Sequence, residues 1–178
     1  MSAEAIASEQ SSQDSTQVST IGEALAGKYM TFKLSEEVYG LEILKVRELI
    51  GMQDITRVPR TKDFIRGVIN LRGKVHPVLD LRLKLGMDRA ETTDQTVIIV
   101  VQYEVGGEDL LMGVLVDEVL EVQAIDASQI EPPPNFVTGA EDTEFILGIG
   151  KSESRVIFLL DIGKVLTAEE ASEVASTN

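Results

Sequence analysis

From Tyr29 to Leu166 the chain alternates between short apolar runs and period-two patterns, broken by turn residues at roughly ten-residue intervals. Met30, Phe32 and Leu34 alternate with Tyr29, Thr31 and Lys33, as in a strand that buries one face. Val97–Val101 and Val156–Leu160 are continuous apolar runs of strand length, and Gly106-Gly107 marks a hairpin turn. Asn70-Leu71-Arg72-Gly73 ends one strand and turns into the next, Lys74–Leu79. Pro77 lacks an N–H, so that second strand is expected at an edge or locally bulged. After Leu44, the spacing of Val46, Leu49 and Ile50 predicts a short helical turn with these three on one face and Glu48 off it. Thr167, with Glu170 three residues on, predicts a capped C-terminal helix that frays towards Asn178. The pattern is that of a mainly β protein with a few short helices.

Aligned with itself, the chain repeats. Gly40-Leu41-Glu42-Ile43 matches Gly113-Val114-Leu115-Val116 at a shift of 73, and Val46, Glu48 and Leu49 then fall on Val119, Glu121 and Val122. Later the shift becomes 81. Phe64-Ile65-Arg66-Gly67-Val68 matches Phe145-Ile146-Leu147-Gly148-Ile149, and Leu79-Asp80-Leu81 matches Leu160-Asp161-Ile162. Pro132-Pro133-Pro134 and the polar stretch after it account for the eight-residue difference. Two copies of one unit of short strands suit a pair of small barrels or sandwiches. Asp80 and Asp161 each precede an apolar turn, where a capping Asp is expected. The expected division is a first barrel over 28–90, a second over 95–166 and a helix with a frayed tail over 167–178, with termini able to cross over.

Composition sharpens this picture mainly by exclusion. Residues 1–27 are Ser-, Gln- and Thr-rich with no aromatic, so a disordered tail is expected there. They lack the charged and apolar regions of a signal peptide, and no window approaches the roughly 20 apolar residues of a membrane span. A cytosolic protein without direct membrane insertion is expected. The chain has no Cys and one His, which leaves no thiolate or histidine-cluster metal site. Its net charge of −14 argues against nucleic acid as a partner. That charge is uneven: residues 28–89 hold 13 bases and 8 acids, whereas residues 90–178 hold 3 bases and 18 acids. Assigned to the two copies, this gives a basic barrel and an acidic one, a polarity suited to orienting end-to-end contacts.

Chemistry is sparse. His76 sits mid-strand beside Pro77, with Asp80 four residues away, and neither strand nor helix spacing makes them a dyad. No glycine cluster forms a phosphate-binding loop, and the acid clusters lack cation-loop spacing. No enzyme and no cofactor are expected. The copies differ at one telling place: Asn70-Leu71-Arg72-Gly73 is replaced by Lys151-Ser152-Glu153-Ser154. An Arg at a hairpin tip has no core role, and its planar fork suits a carboxylate.

Tyr39–Val46, Phe64–Val75 and Pro77–Arg82, with Gly113–Asp117, Phe145–Gly148 and Leu159–Ile162, resemble the CheW-like coupling proteins of bacterial chemotaxis over about Lys28 to Leu166. The resemblance implies two five-stranded Greek-key barrels side by side, with short helices and a C-terminal helix. It implies a non-enzymatic adaptor joining the cytoplasmic tips of chemoreceptors to the regulatory domain of the histidine kinase CheA. Further copies of the adaptor take part in rings at membrane-bound arrays. Carried over by position, the receptor-binding residues are Val46, Glu48, Leu49, Asn70 and Arg72, and the kinase face lies around Ile55, Arg57 and Val58. An adaptor of a pilus-type or other chemosensory pathway is the nearest alternative. A small-ligand-binding double barrel using His76, Asp80 and Arg72 is the more distant one.

Overall fold

The computed structural model describes residues 20–134 and 145–175. Among the described residues eleven strands follow in chain order: β1 Gly27–Leu34, β2 Glu37–Glu42, β3 Val46–Gly51, β4 Ile65–Leu71, β5 Lys74–Asp80, β6 Val97–Val105, β7 Glu108–Val116, β8 Glu118–Ile125, β9 Ile130–Glu131, β10 Ile146–Ser152 and β11 Arg155–Leu160. They form a six-stranded sheet in the order β8-β1-β2-β11-β10-β9 and a five-stranded sheet in the order β3-β6-β7-β5-β4. The described residues also form short α-helices, α1 over 20–25, α2 at Leu81–Lys84 and α3 at Ala168–Ala175, and single 3-10 turns at Ile43–Lys45 and Ala127–Gln129.

The duplication is present, but it does not divide as one copy per sheet. Strands β1 and β2 of the first copy join β8, β10 and β11 of the second, while β6 and β7 of the second join β3, β4 and β5 of the first. The bounds 28–90 and 95–166 are therefore corrected in the direction that the crossing of the termini left open: residues 43–116 build one barrel, and the described strands before and after them build the other. Each sheet has the same plan, with a parallel pairing at its centre, β2 with β11 and β5 with β7. Because the copies are alike, the first hairpin of one fits the other's ladder as well as its own. The exchange leaves no trace in the repeat. Charge is redistributed accordingly. Residues 43–116 hold 11 bases and 10 acids, whereas 27–42 and 117–160 together hold 4 bases and 12 acids. One barrel is near neutral and the other strongly acidic.

Each barrel closes in the same way. The chain leaving β3 bridges back to β4 at Thr56, whose N–H donates to Val68 O at 2.9 Å while Val68 N–H donates to Thr56 O at 2.8 Å. The chain leaving β8 does likewise through β9, where Ile130 and Glu131 pair with Gly150 and Ile149. The largest core lies between the sheets, with Phe32, Leu41 and Leu160 from one side and Ile99, Val101 and Val114 from the other. Burial on both sides explains why β1 is not the half-exposed strand its alternation predicts: Tyr29, Met30, Thr31 and Phe32 are all buried. Thr31 sits at a bulge, where its hydroxyl donates to Glu121 O at 2.7 Å. Pro77 is neither at an edge nor at the bulge. It lies within β5 opposite Val68, immediately before the parallel ladder of Val78, Leu79 and Asp80 with β7.

The disordered tail expected over 1–27 is corrected for residues 20–27, which are ordered. Residues 20–25 are helical, and Ile21 and Leu25 pack on the small core of the six-stranded sheet. Tyr29 Oη donates to Leu25 O at 2.5 Å, and burial, with Glu42 nearby, pushes its phenol up to about 12. Residues 1–19, the polar stretch 135–144 and residues 176–178, where fraying is expected from the sequence, lie outside the described residues.

Helix α2 ties the barrels together electrostatically. Arg82 Nη1 reaches Asp117 Oδ2 at 2.5 Å, and that same oxygen accepts the Ser35 N–H at 2.7 Å from the β1–β2 turn. Lys84 Nζ reaches Glu170 of α3 at 2.6 Å. Thr167 and Glu170 form the capping box: Glu170 N–H donates to Thr167 Oγ1, and Thr167 N–H to Glu170 Oε1. Burial by itself would raise the Glu170 carboxyl, but hydrogen bonds from Lys84 and Thr167 and the Lys84 charge outweigh it and hold the group low. A carboxyl lowered in the folded state adds stability above its unfolded value of about 4.3, and that contribution is lost as the pH falls. Glu170→Gln is expected to melt below wild type at neutral pH, with the two curves converging on acidification. Thermal melts between about pH 7 and pH 3 check this.

Candidate functional site

The segment after Leu44 differs from its expected form. The helical turn is Ile43–Lys45, and Val46 begins strand β3. Along β3, Val46, Glu48 and Ile50 are half-buried, whereas Arg47, Leu49 and Gly51 are exposed. Leu49, 43% exposed, therefore lies on the opposite side from Glu48 and Ile50. Val46 packs against the core between the sheets, and so does Val119 of β8, its mate at the shift of 73.

Hairpin β4–β5 carries the next two residues. Its two-residue turn, Arg72-Gly73, has positive φ at both positions, 53° and 85°, as in the tight turns that join twisted strands. Asn70 Oδ1 accepts the Gly73 N–H at 2.9 Å, so Asn70 shapes the turn. The fold then brings Arg72 to Glu48, with Nη2 to Oε2 at 2.7 Å. Arg72 remains 80% exposed on its side chain, and Glu48 is 28% exposed. The sister hairpin has Glu153 at the Arg72 position with the same backbone, φ 56°. Turn geometry thus does not choose Arg. In the other barrel the positions of this pair carry two carboxylates, Glu121 and Glu153.

Beside the pair is a cleft of about 780 Å³, walled by Lys74, Val75 and His76 of β5 and by Leu110 and Leu111 of β7. It opens because the β5–β7 ladder runs over Val78–Asp80, and the strands part on the Pro77 side. His76 lies opposite Ile69, with its Nδ1 buried and unpartnered. Asp80 is engaged elsewhere: its Oδ1 accepts the Leu83 N–H that caps α2, and its Oδ2 takes Arg66 Nη1 at 3.2 Å. The two do not form an acid–base pair. Asp161 caps only a turn, accepting the Gly163 N–H at 2.9 Å.

Ile55, Arg57 and Val58 lie together on the closing segment, either side of Thr56 and away from the Glu48–Arg72 pair. Ile55 packs on the inner core of the five-stranded sheet, Val58 is half-buried and Arg57 is exposed. Among the described residues no group of His, Asp and Glu could hold a metal ion, and no helix is long and apolar enough to cross a membrane.

The described residues form two interleaved β-barrels that bear clefts and an exposed ion pair. The chain belongs to the CheW-like domain family, whose model matches residues 28–170. It is 38% identical over 153 residues to the chemotaxis protein CheW of Klebsiella aerogenes, covering 86% of this chain and 89% of that one. It is 36% identical over 144 residues to CheW of Bacillus subtilis, covering 81% and 89%. The crystal structure of the scaffolding protein TtCheW from Thermoanaerobacter tengcongensis matches with a TM-score of 0.71 and 37% identity, covering 82% of this chain and 97% of that one. The chain is a chemotaxis coupling adaptor of this family of scaffolds.

Proposed function

We propose that the chain couples the cytoplasmic tip of a chemoreceptor to the regulatory domain of a CheA-type kinase. It acts without catalysis of its own, in the cytoplasm at membrane-bound arrays. Val46, Glu48, Leu49, Asn70 and Arg72 form the receptor side in this reading, and Ile55, Arg57 and Val58 the kinase side. What carries the reading is the Glu48–Arg72 pair, held on a turn whose sister has Glu in place of Arg. The pair is most simply understood as a feature kept for a partner. Val46 at the seam supplies apolar contact, and Asn70 supports the turn that presents Arg72. Leu49, on the outer side of β3, would meet a different part of the receptor from Val46.

Coupling then works by simultaneous contact. Both partners hold one rigid body, and a change at the receptor biases the kinase's conformational equilibrium by an amount typically of about 1–3 kcal/mol, felt reciprocally. Reconstitution of receptor, kinase and this chain tests it. Kinase activity is expected to respond to receptor ligand only when the chain is present. A kinase equally responsive without it would overturn the assignment.

A further inference from the structure

A second cavity, of about 460 Å³, lies at the other end of the β4–β5 hairpin, lined by Arg57, Lys62, Arg66 and Arg89 against the acid Asp63. Its size is in the range of ligand sites, roughly 300–1,000 Å³. Arg66 is fixed at its wall by the bond to Asp80, which is 2% exposed. Lys62 is 4.0 Å from Glu170, and Arg57 and Arg89 are exposed.

The duplication provides an internal control for these cations. At the shift of 81, Lys62 and Arg66 correspond to Thr143 and Leu147, and neither of these is cationic. Yet the second copy keeps the local backbone. Asp161 N–H donates to Phe145 O at 2.8 Å, just as Asp80 N–H donates to Phe64 O at 2.6 Å. Apart from Arg66, which partners the buried Asp80, this backbone does not require the charge. Four of the 13 bases that residues 28–89 hold surround this one cavity.

We propose that this cavity receives an acidic segment of a protein partner, with Asp or Glu carboxylates taken by the Arg57 and Arg89 guanidinium groups beside the fixed Arg66. This deepens the kinase-side reading of Ile55, Arg57 and Val58 and rests on it for the identity of the partner. Arg66 and Arg72 are six residues apart along β4 and its turn, about 20 Å at the rise of a strand. Both ends of one hairpin could therefore be occupied at once, as an adaptor requires.

The full chain, isotope-labelled, is titrated with a hexaglutamate peptide and separately with sodium phosphate at matched ionic strength, and amide signals of Thr61–Arg66 and Leu83 are followed. Saturable shifts with the peptide, weakened at least tenfold in Arg57→Glu/Arg89→Glu, are expected. Both residues are exposed, and Arg66 is left in place so that the Asp80 bond persists. The proposal is overturned by an absence of saturation, by equal binding to the double variant, or by phosphate saturating the same signals with equal affinity, which would make this a small-anion site. Capture of the kinase regulatory domain is measured on the same variant. Unchanged capture alongside lost peptide binding leaves the acidic-segment site standing and removes the kinase as its source.

Discussion

Arg72→Glu is expected to weaken capture of a chemoreceptor tip by at least tenfold while the protein melts within about 3 °C of wild type. The small stability change follows from exposure. A pair with one side chain 80% in solvent contributes roughly 0.2–1 kcal/mol to folding, and a chain of this length shifts by about 2–4 °C per kcal/mol. The fold already tolerates two carboxylates at the equivalent positions, since Glu121 and Glu153 occupy them in the other barrel. The loss of binding follows from what the substitution removes. Glu48 would lose its partner at 2.7 Å, and a cation at the hairpin tip would become an anion. Tenfold corresponds to about 1.4 kcal/mol, a modest demand on one charge-assisted hydrogen bond. The exchange Glu48→Arg/Arg72→Glu separates two explanations. If pairing alone matters, the double variant recovers binding. If Arg72 itself meets a receptor carboxylate, binding stays low although the pair is restored. Wild-type capture by Arg72→Glu would remove this hairpin from the receptor side.

The parts of this architecture that were legible in the sequence are those that depend on local repetition. The matched glycines, the paired Asp80 and Asp161 and the Thr167–Glu170 box all have short-range causes, and each appears where the spacing put it. The helical reading of Val46, Leu49 and Ile50 failed for a definite reason. Leu49 is an apolar residue on the outward side of a strand, and one such residue is enough to turn period-two spacing into an apparent i, i+3, i+4 pattern. The half-exposed reading of β1 failed because the strand lies between two packed surfaces, where Thr31 is buried as fully as Phe32. A crossing of the termini was open in the sequence, but which strands cross was not legible, because the exchange trades like for like. The meeting of Glu48 with Arg72, 24 residues apart, depends on the barrel closing on itself, which no local pattern encodes. The proposed site roles rest on resemblance to a family; position in the sequence alone marks Arg72 only as a hairpin-tip cation suited to a carboxylate.

Gly67→Ala is expected to be the most destabilising single-methyl change in the five-stranded barrel, costing roughly 2–4 kcal/mol and lowering the melting temperature by about 5–15 °C. A Cβ at this position would stand 2.1 Å from Thr56 O and 2.7 Å from Thr56 C, and both are backbone atoms that no rotamer change can move. Gly67 also has φ 142°, a conformation that side chains disfavour. The closing segment would have to lift, which breaks the two hydrogen bonds between Thr56 and Val68. Ile55 would then leave the core it shares with Ile69 and Val78. The sister position calibrates the argument. A Cβ at Gly148 meets Glu131 O at 2.9 Å and the movable end of Leu25 at 3.0 Å, so Gly148→Ala should cost clearly less. Gly51→Ala, with nothing within 4 Å, should cost least. Melting curves of the three variants give the ranking, and amide exchange at Thr56 and Val68 shows whether the closing bridge is what opens. The functional consequence is directional. Ile55, Arg57 and Val58 ride on the lifted segment, whereas Arg72 sits on a hairpin tip closed by its own ladder and by Asn70. Below its melting temperature, Gly67→Ala should therefore lose capture of the kinase regulatory domain more steeply than capture of the receptor tip. Equal loss of both would mean that the two faces are not separable along β4, and a melting temperature within about 2 °C of wild type would mean that the closing segment yields without cost.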